Sequence, residues 1–366
     1  MHYNYWTDEN KTLNILSAIN EGFDAVVEYI REDKVSRLVE IYENLQVPQS
    51  PPKPKYSSAL IPSEPIREYR PPIRREILER SDVLVDILAD KDFSIAAIDS
   101  GIFTSGPHIL IDIAVINVGF WYINYRSISG GGGNRAKIYV DIEEGTRLRT
   151  ITKDMETEVI KELIAKLSGK KKFVLLDESF SLSYTLSWSE KDRIEMVSKV
   201  VLLIDEILNR GSVPIGIFYT RTHDIVRGIS TLKPNIDIPR VPDRALMNKV
   251  LNTLSRSPTF KVYSKALEGS KLEILAFYVK VGEGNILRVE FPKAAHDLID
   301  DIYLVVITQS ILGGGYPLAL QRAHDWAVID AETREIILGE ICRRLGIPLP
   351  DMIYSRKLGR KISPIE

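Results

Sequence analysis

Apolar residues in the first part of the chain recur at helical spacing, with Leu13, Ile15, Leu16, Ile19, Val26, Val27, Ile30, Leu38, Ile41 and Leu45 in register. The pattern predicts two short helices between about Thr12 and Leu45, so that residues 1–46 form a helical N-terminal piece. From Val47 to Ile73 the pattern changes. Eight prolines, among them Pro51, Pro52, Pro71 and Pro72, remove backbone donors and favour extended chain. Residues 47–73 therefore read as a linker or a strap over the surface. A helical stretch over 74–90 then gives way to a run of a different kind, Phe93-Ser-Ile-Ala-Ala-Ile-Asp-Ser-Gly101, which reads as a buried strand with a carboxylate at its C-terminal end.

Two or three further strands are expected over His108–Val118, Gly119–Ser127 and Lys137–Ile142, where β-branched and aromatic residues dominate. Gly130–Gly133 between them reads as a mobile hairpin tip. It lacks the lysine and hydroxyl of a phosphate-binding loop, so it carries no nucleotide role. A helix over Thr150–Leu167 ends in glycine and lysines, and Phe173-Val-Leu-Leu-Asp-Glu-Ser179 repeats the apolar strand closed by a carboxylate. A helix over Lys191–Asn209 leads to a third apolar strand, Val213–Tyr219. Leu272–Val281 and Asn285–Phe291 flank Gly282-Glu-Gly-Asn285 as a hairpin. Helices follow over Ala294–Ile311, Leu318–Asp330 and Glu332–Leu345, and residues 351–366 form a basic tail. Strands alternating with helices predict an α/β fold with a mixed sheet flanked by helices.

Length and composition sharpen this picture only modestly. At 366 residues, 44% hydrophobic and 27% charged, the chain can bury a sizeable core. The net charge of −2 speaks against a protein whose whole surface attracts nucleic acid, but leaves room for a basic groove beside an acidic site. Cys342 is the single cysteine, which excludes an internal disulfide and a cysteine zinc cluster and fits a reducing, cytoplasmic setting. Neither a signal peptide nor a membrane span is expected.

The candidate chemistry lies in the carboxylates. Asp99 and Asp177 each follow an apolar strand, and in α/β folds ligands gather at the carboxyl ends of strands. If the two strands are neighbours, the carboxylates converge and hold hard cations through oxygen, as phosphodiester cleavage with two metals requires. An aspartate after a strand is also a common helix cap, so the strand pattern alone leaves both readings open. Gly313-Gly-Gly-Tyr-Pro-Leu-Ala-Leu-Gln-Arg-Ala-His-Asp325 adds a glycine turn, a proline suited to open a helix, and Tyr316, Arg322 and His324 close together. His324 is a candidate general acid or phosphate ligand, although a lone histidine on an amphipathic helix is more often structural. Tyr316 and His324 are expected to share a cavity on the side away from the strand aspartates.

Ala97-Ile-Asp-Ser-Gly101, Leu175-Leu-Asp-Glu-Ser179, Arg288-Val-Glu290 and the Gly315-Tyr-Pro and Ala323-His324 pair occur in the order seen in NurA nucleases, which the chain resembles from about Phe93 to Leu345. The resemblance implies an RNase H-like nuclease core within residues 74–350, with the N-terminal helical and proline-rich pieces as an extension. It further implies manganese-dependent (or magnesium-dependent) 5′ to 3′ exonuclease and single-strand endonuclease action on DNA, in end resection during double-strand break repair. Homodimerisation and partnership with the hexameric ATPase HerA belong to the same expectation. Family roles carry over to Asp99 and Asp177 as metal ligands, and to Tyr316 and His324 as active-site residues, with His324 also a candidate ligand. The family's helical carboxylate carries over best to Glu162, with Glu158 one turn earlier as the alternative. Two departures stand out: Glu178 replaces the usual glycine after the second aspartate, and Thr220-Arg-Thr222 stands where a lysine is common. Arg221 and Arg322 are the candidate phosphate contacts. A catalytically weakened paralogue that binds DNA ends or docks the ATPase is the alternative function.

Overall fold

A computed structural model describes residues 32–78, 80–105, 112–140, 145–219, 221–346 and 348. The expected helices before residue 32 and the basic tail after residue 350 lie outside the described residues. In chain order, helix α1 (Glu32–Glu43) precedes strand β1 (Ser58–Pro62), the short α2 (Arg75–Leu78) and α3 (Ser81–Asp90). Strands β2 (Phe93–Thr104), β3 (Ile113–Asn124) and β4 (Ser129–Val140) form a meander, followed by α4 (Thr146–Ala165), β5 (Lys171–Leu176), α5 (Glu190–Asn209) and β6 (Ser212–Phe218). Helices α6 (Asp224–Leu232) and α7 (Asp243–Val250) lead to β7 (Phe260–Ser264), β8 (Ile274–Gly282) and β9 (Asn285–Pro292). The described fold closes with α8 (Ile299–Leu312), α9 (Leu318–Ala327) and α10 (Ala331–Leu345).

The strands build one nine-stranded mixed sheet in the order β1-β7-β8-β9-β6-β5-β2-β3-β4. Within it, β3 runs antiparallel to both β2 and β4, while β5 and β6 run parallel to β2. The order β4-β3-β2-β5-β6, with only its second strand reversed, is the RNase H-like core that the family resemblance implies. The antiparallel strands β9, β8, β7 and β1 extend it on the β6 side. Helices cover both faces, which explains why the central strands read as unbroken apolar runs. Along β2, Ile95 and Ala97 point into the core beneath α3, α8 and α9, while Ala96 and Ile98 point into the core beneath α4 and α5.

Local readings differ from the fold in three places. The glycine run is not a hairpin tip: Gly130–Gly133 pair with Phe120–Ile123 inside the edge strand β4, and the turn falls at 125–128. A Cβ at Gly132 would lie 2.4 Å from the Trp326 ring, so close packing against α9 accounts for that glycine better than mobility does. Likewise the proline-rich segment is not wholly a surface strap. Its proline-free window Ser58-Ala-Leu-Ile61 keeps its backbone donors and inserts as the fully buried strand β1 beside β7. Finally, Asp99 sits within the long strand β2 and not at its end; the glycine after it marks a helix crossing, as described below.

Candidate active site

The parallel ladder between β2 and β5 ends with Ile98 opposite Leu176, so the next residue on each strand, Asp99 and Asp177, stands side by side with the other. Asp99 continues into the pairing with β3, opposite Gly119, whereas Asp177 leaves the sheet. Burial among apolar neighbours raises the Asp177 carboxyl above its usual range. The adjacent Asp99 charge pushes in the same direction, and the polar Tyr316 hydroxyl nearby opposes it.

Helix α9 lies across β2 and β3 at unusually short range, and glycines permit it. A Cβ at Gly101 would be 2.3 Å from the Ala327 carbonyl oxygen, and one at Gly119 would be 2.3 Å from that of Ala323. Asn117 secures the crossing by donating to the Trp326 and Ala327 carbonyls at 2.8 and 3.0 Å. The helix is thereby held with His324 Nδ1 at 2.6 Å from Asp99 Oδ2, and the imidazole otherwise 64% exposed. The turn before it uses Gly314 and Gly315 at positive φ and is closed by Gln321, which donates to the Gly313 and Tyr316 carbonyls. Tyr316 stacks on Tyr219 at 5.3 Å between ring centroids. Its hydroxyl donates to the Ile217 carbonyl at 3.3 Å, and burial and the nearby Asp177 charge drive its pKa up. The structure thus sets His324 on Asp99 and Tyr316 beside Asp177, and not on the side away from the aspartates. The close approach that Gly101 and Gly119 allow is the reason.

The helical carboxylate at this place is Glu156, and not Glu162 or Glu158. Helix α4 buries Leu148, Met155, Val159, Ile160 and Leu163, and Glu156 lies on that same stripe, 5% exposed. Glu162 falls on another face, where it pairs with Arg135 of β4 at 2.6 Å, and Glu158 reaches Lys137 at 3.6 Å. A carboxylate inside an apolar stripe was the available sequence signal for Glu156. Ser100 donates to its Oε1 at 2.7 Å, and Lys153 Nζ contacts its Oε2 at 2.6 Å.

Lys153 also meets Glu178 Oε2 at 2.7 Å, so the Glu178 carboxylate is compensated by a largely buried ammonium. Burial raises the Glu178 carboxyl, with Lys153 opposing. Behind it, Ser179 Oγ and the Ser181 amide donate to the fully buried Glu290 of β9 at 3.0 and 3.2 Å. Glu290 and Asp224 flank the buried Arg288 at 2.6 and 2.7 Å. The Arg288-Val-Glu290 motif therefore fixes the loop that follows Asp177. The resulting cleft, about 340 Å³, is lined by Asp99, Ser100, Arg149, Lys153, Glu156, Asp177, Glu178 and Tyr184 among others. Neither predicted cation lines it: Arg221 is exposed in the loop after β6, and Arg322 is an exposed partner of Asp325 at 3.5 Å.

Two aspartates whose charges repel, on neighbouring inner strands and lining one cleft, suit a hard divalent cation. Magnesium-sized ions are commonly held by one or two carboxylates plus water and substrate oxygens. The donor set of Asp99 and Asp177 fits that requirement. Among the described residues no three His, Cys, Asp or Glu side chains converge as a ready-made cage, and Glu156 is engaged by Lys153 and Ser100.

A family model, the NurA domain, matches residues 93–329. No curated protein sequence matches the chain. The crystal structure of the NurA nuclease from Sulfolobus solfataricus superposes with a TM-score of 0.57 at 14% identity, over 92% of this chain and 97% of that one, and so shares the fold. A second NurA crystal structure aligns at 12% identity and TM-score 0.44 over 87% of this chain and 97% of its own. A NurA bound to dAMP and manganese aligns at 12% identity and TM-score 0.39 over 92% and 97%. Because the domain match spans more than half of the chain and takes in every cleft residue named above, the chain belongs to the NurA family.

Proposed function

We propose that this NurA-family chain is a divalent-metal-dependent nuclease that hydrolyses phosphodiester bonds in DNA. The observation that carries the reading is the side-by-side placement of Asp99 and Asp177, with His324 on the first and Tyr316 on the second. A manganese or magnesium ion held by the two aspartates would activate water and neutralise charge on the phosphate. The protein's own groups do the rest. With Nδ1 engaged by Asp99, His324 has Nε2 to take or return a proton at the substrate. Tyr316, stacked on Tyr219, walls the site beside Asp177, while Glu290 and the two serines hold the loop behind it. Arg221 and Arg322, both exposed, are suited to phosphates of the approaching strand.

Family membership supports the finer reading: 5′ to 3′ exonuclease and single-strand endonuclease action in DNA end resection, as a cytoplasmic homodimer working with a HerA-type ATPase. The test is degradation of end-labelled DNA by the purified chain with manganese, with and without chelator. Cleavage that stops with the chelator supports the reading; DNA binding without cleavage under any divalent ion overturns it. Substrates labelled at either end fix polarity, and light scattering fixes the oligomeric state.

A further inference from the structure

The cleft contains a cation of its own. Lys153 is 12% exposed and its Nζ lies within 2.7 Å of carboxylate oxygens from two different elements, Glu156 on α4 and Glu178 after β5. It lines the same cleft as Asp99 and Asp177. We infer that the Lys153 ammonium, anchored by Glu178, holds the place that a second divalent ion would take at Glu156, so that the active site binds a single divalent cation.

The argument rests on how the two groups of carboxylates are satisfied. Both oxygens of Glu156 are engaged, Oε1 by Ser100 and Oε2 by Lys153. An ion joining Glu156 to either aspartate would sit within a few ångströms of the ammonium, inside a cleft whose low polarisability strengthens repulsion between like charges. Among the described residues no lysine or arginine pairs with Asp99 or Asp177; the group on Asp99 is the His324 imidazole. A lysine can serve electrostatically as a fixed positive charge, but it neither sheds a ligand water nor exchanges with solution ions. Glu178 is the second half of the device. Without it, a buried lysine would face one carboxylate only, and a lone charge pair out of water is poorly compensated. The pairing of Glu178 with the largely buried Lys153 and the engagement of Glu156 then have one explanation. Lys153 acts as a positioning residue, fixing the Glu156 carboxylate toward Ser100 and leaving the divalent ion to the aspartate pair.

This inference rests on the nuclease reading above, yet its test reads binding instead of cleavage. Manganese is titrated into the full chain, and free ion is followed by electron paramagnetic resonance. The expected result is one ion per chain for the natural protein. For Lys153→Met, and for the charge-balanced Lys153→Met/Glu178→Gln, two ions are expected, the second lost again when Glu156→Gln is added. The double variant removes a cation and an anion together and so keeps the buried charge unchanged, which covers the case in which the single variant does not fold. Two ions in the natural protein, or one ion in both variants, overturn the inference while leaving the nuclease reading standing. No bound manganese at all overturns both.

Discussion

Asp177 registers its neighbour's charge, and that makes single-residue predictions sharp. Asp99→Ala and Asp177→Ala each remove a ligand and relieve a repulsion, so each should abolish manganese-dependent cleavage while melting at or above the natural temperature. Full activity in either variant would remove that residue from the site. Glu156→Gln should lower turnover by about 2 to 3 kcal/mol in transition-state terms, the scale of one well-placed electrostatic group. Glu162→Gln should leave it almost unchanged, since an exposed ion pair such as that with Arg135 contributes about 0 to 1 kcal/mol. Comparing the two in single-turnover cleavage checks the assignment, and an inactive Glu162→Gln beside an active Glu156→Gln reverses it. His324, 64% exposed, has little packing to lose. His324→Ala should slow cleavage by about 10² to 10⁴, the usual range for a positioned acid or base, with an unchanged melting curve.

Among the elements, the crossing of α9 over β2 and β3 decides the site geometry. Its carbonyls approach Gly101 and Gly119 so closely that a methyl group on either glycine would force the helix outward. Gly119→Ala, whose Cβ would meet backbone atoms of α9 at 2.3 and 2.4 Å, should cost about 1 to 3 kcal/mol of stability, as overpacking does. Turnover should fall as well, because His324 moves away from Asp99 with the helix. Chemical denaturation and cleavage measured together separate these effects. A Gly119→Ala variant that is destabilised yet turns over normally per folded molecule would show that His324 is placed by something other than this contact. Helix α4 contributes by its phase: Lys153 and Glu156, three residues apart, share the face that meets β2 and β5.

For the molecule as a whole, stability should depend on pH through a buried carboxyl that does not itself line the cleft. Asp243 is fully buried at the start of α7, where it accepts from Thr222, from the Asp224 and Ile225 amides and from Tyr278. Burial, together with the Asp224 charge, raises its pKa from 3.8 to about 6. The folded state therefore holds this proton more tightly than the unfolded state. The contribution favours folding at low pH and is lost as pH rises from about 4 to about 6. Melting temperatures of the natural protein and of Asp243→Asn across that range should diverge in the variant's favour as pH increases, apart from a constant offset. Parallel curves would exclude Asp243 as the titrating group. No described helix is long and apolar enough to cross a membrane.

The sequence by itself determined the strands that carry the aspartates, the hairpin between β8 and β9, and the helices that follow. An apolar run closed by a carboxylate, a Gly-Glu-Gly-Asn turn and a 3.6-residue period are local signals, and local signals survive in one dimension. Asp99, Asp177, Tyr316 and His324 stand out as candidates for that reason, helped by the family resemblance. Only the tertiary structure decided which glutamate on α4 faces the aspartates, because that depends on the rotational phase of the helix against a distant sheet. Only it showed that Gly101, Gly119 and Gly132 are spaces for α9 and not breaks or tips, since a missing Cβ means nothing until the neighbour that would strike it is known. The pairing of Lys153 with Glu178 likewise joins residues of separate elements. Their charges become a site only when the sheet brings the two elements together and excludes water between them.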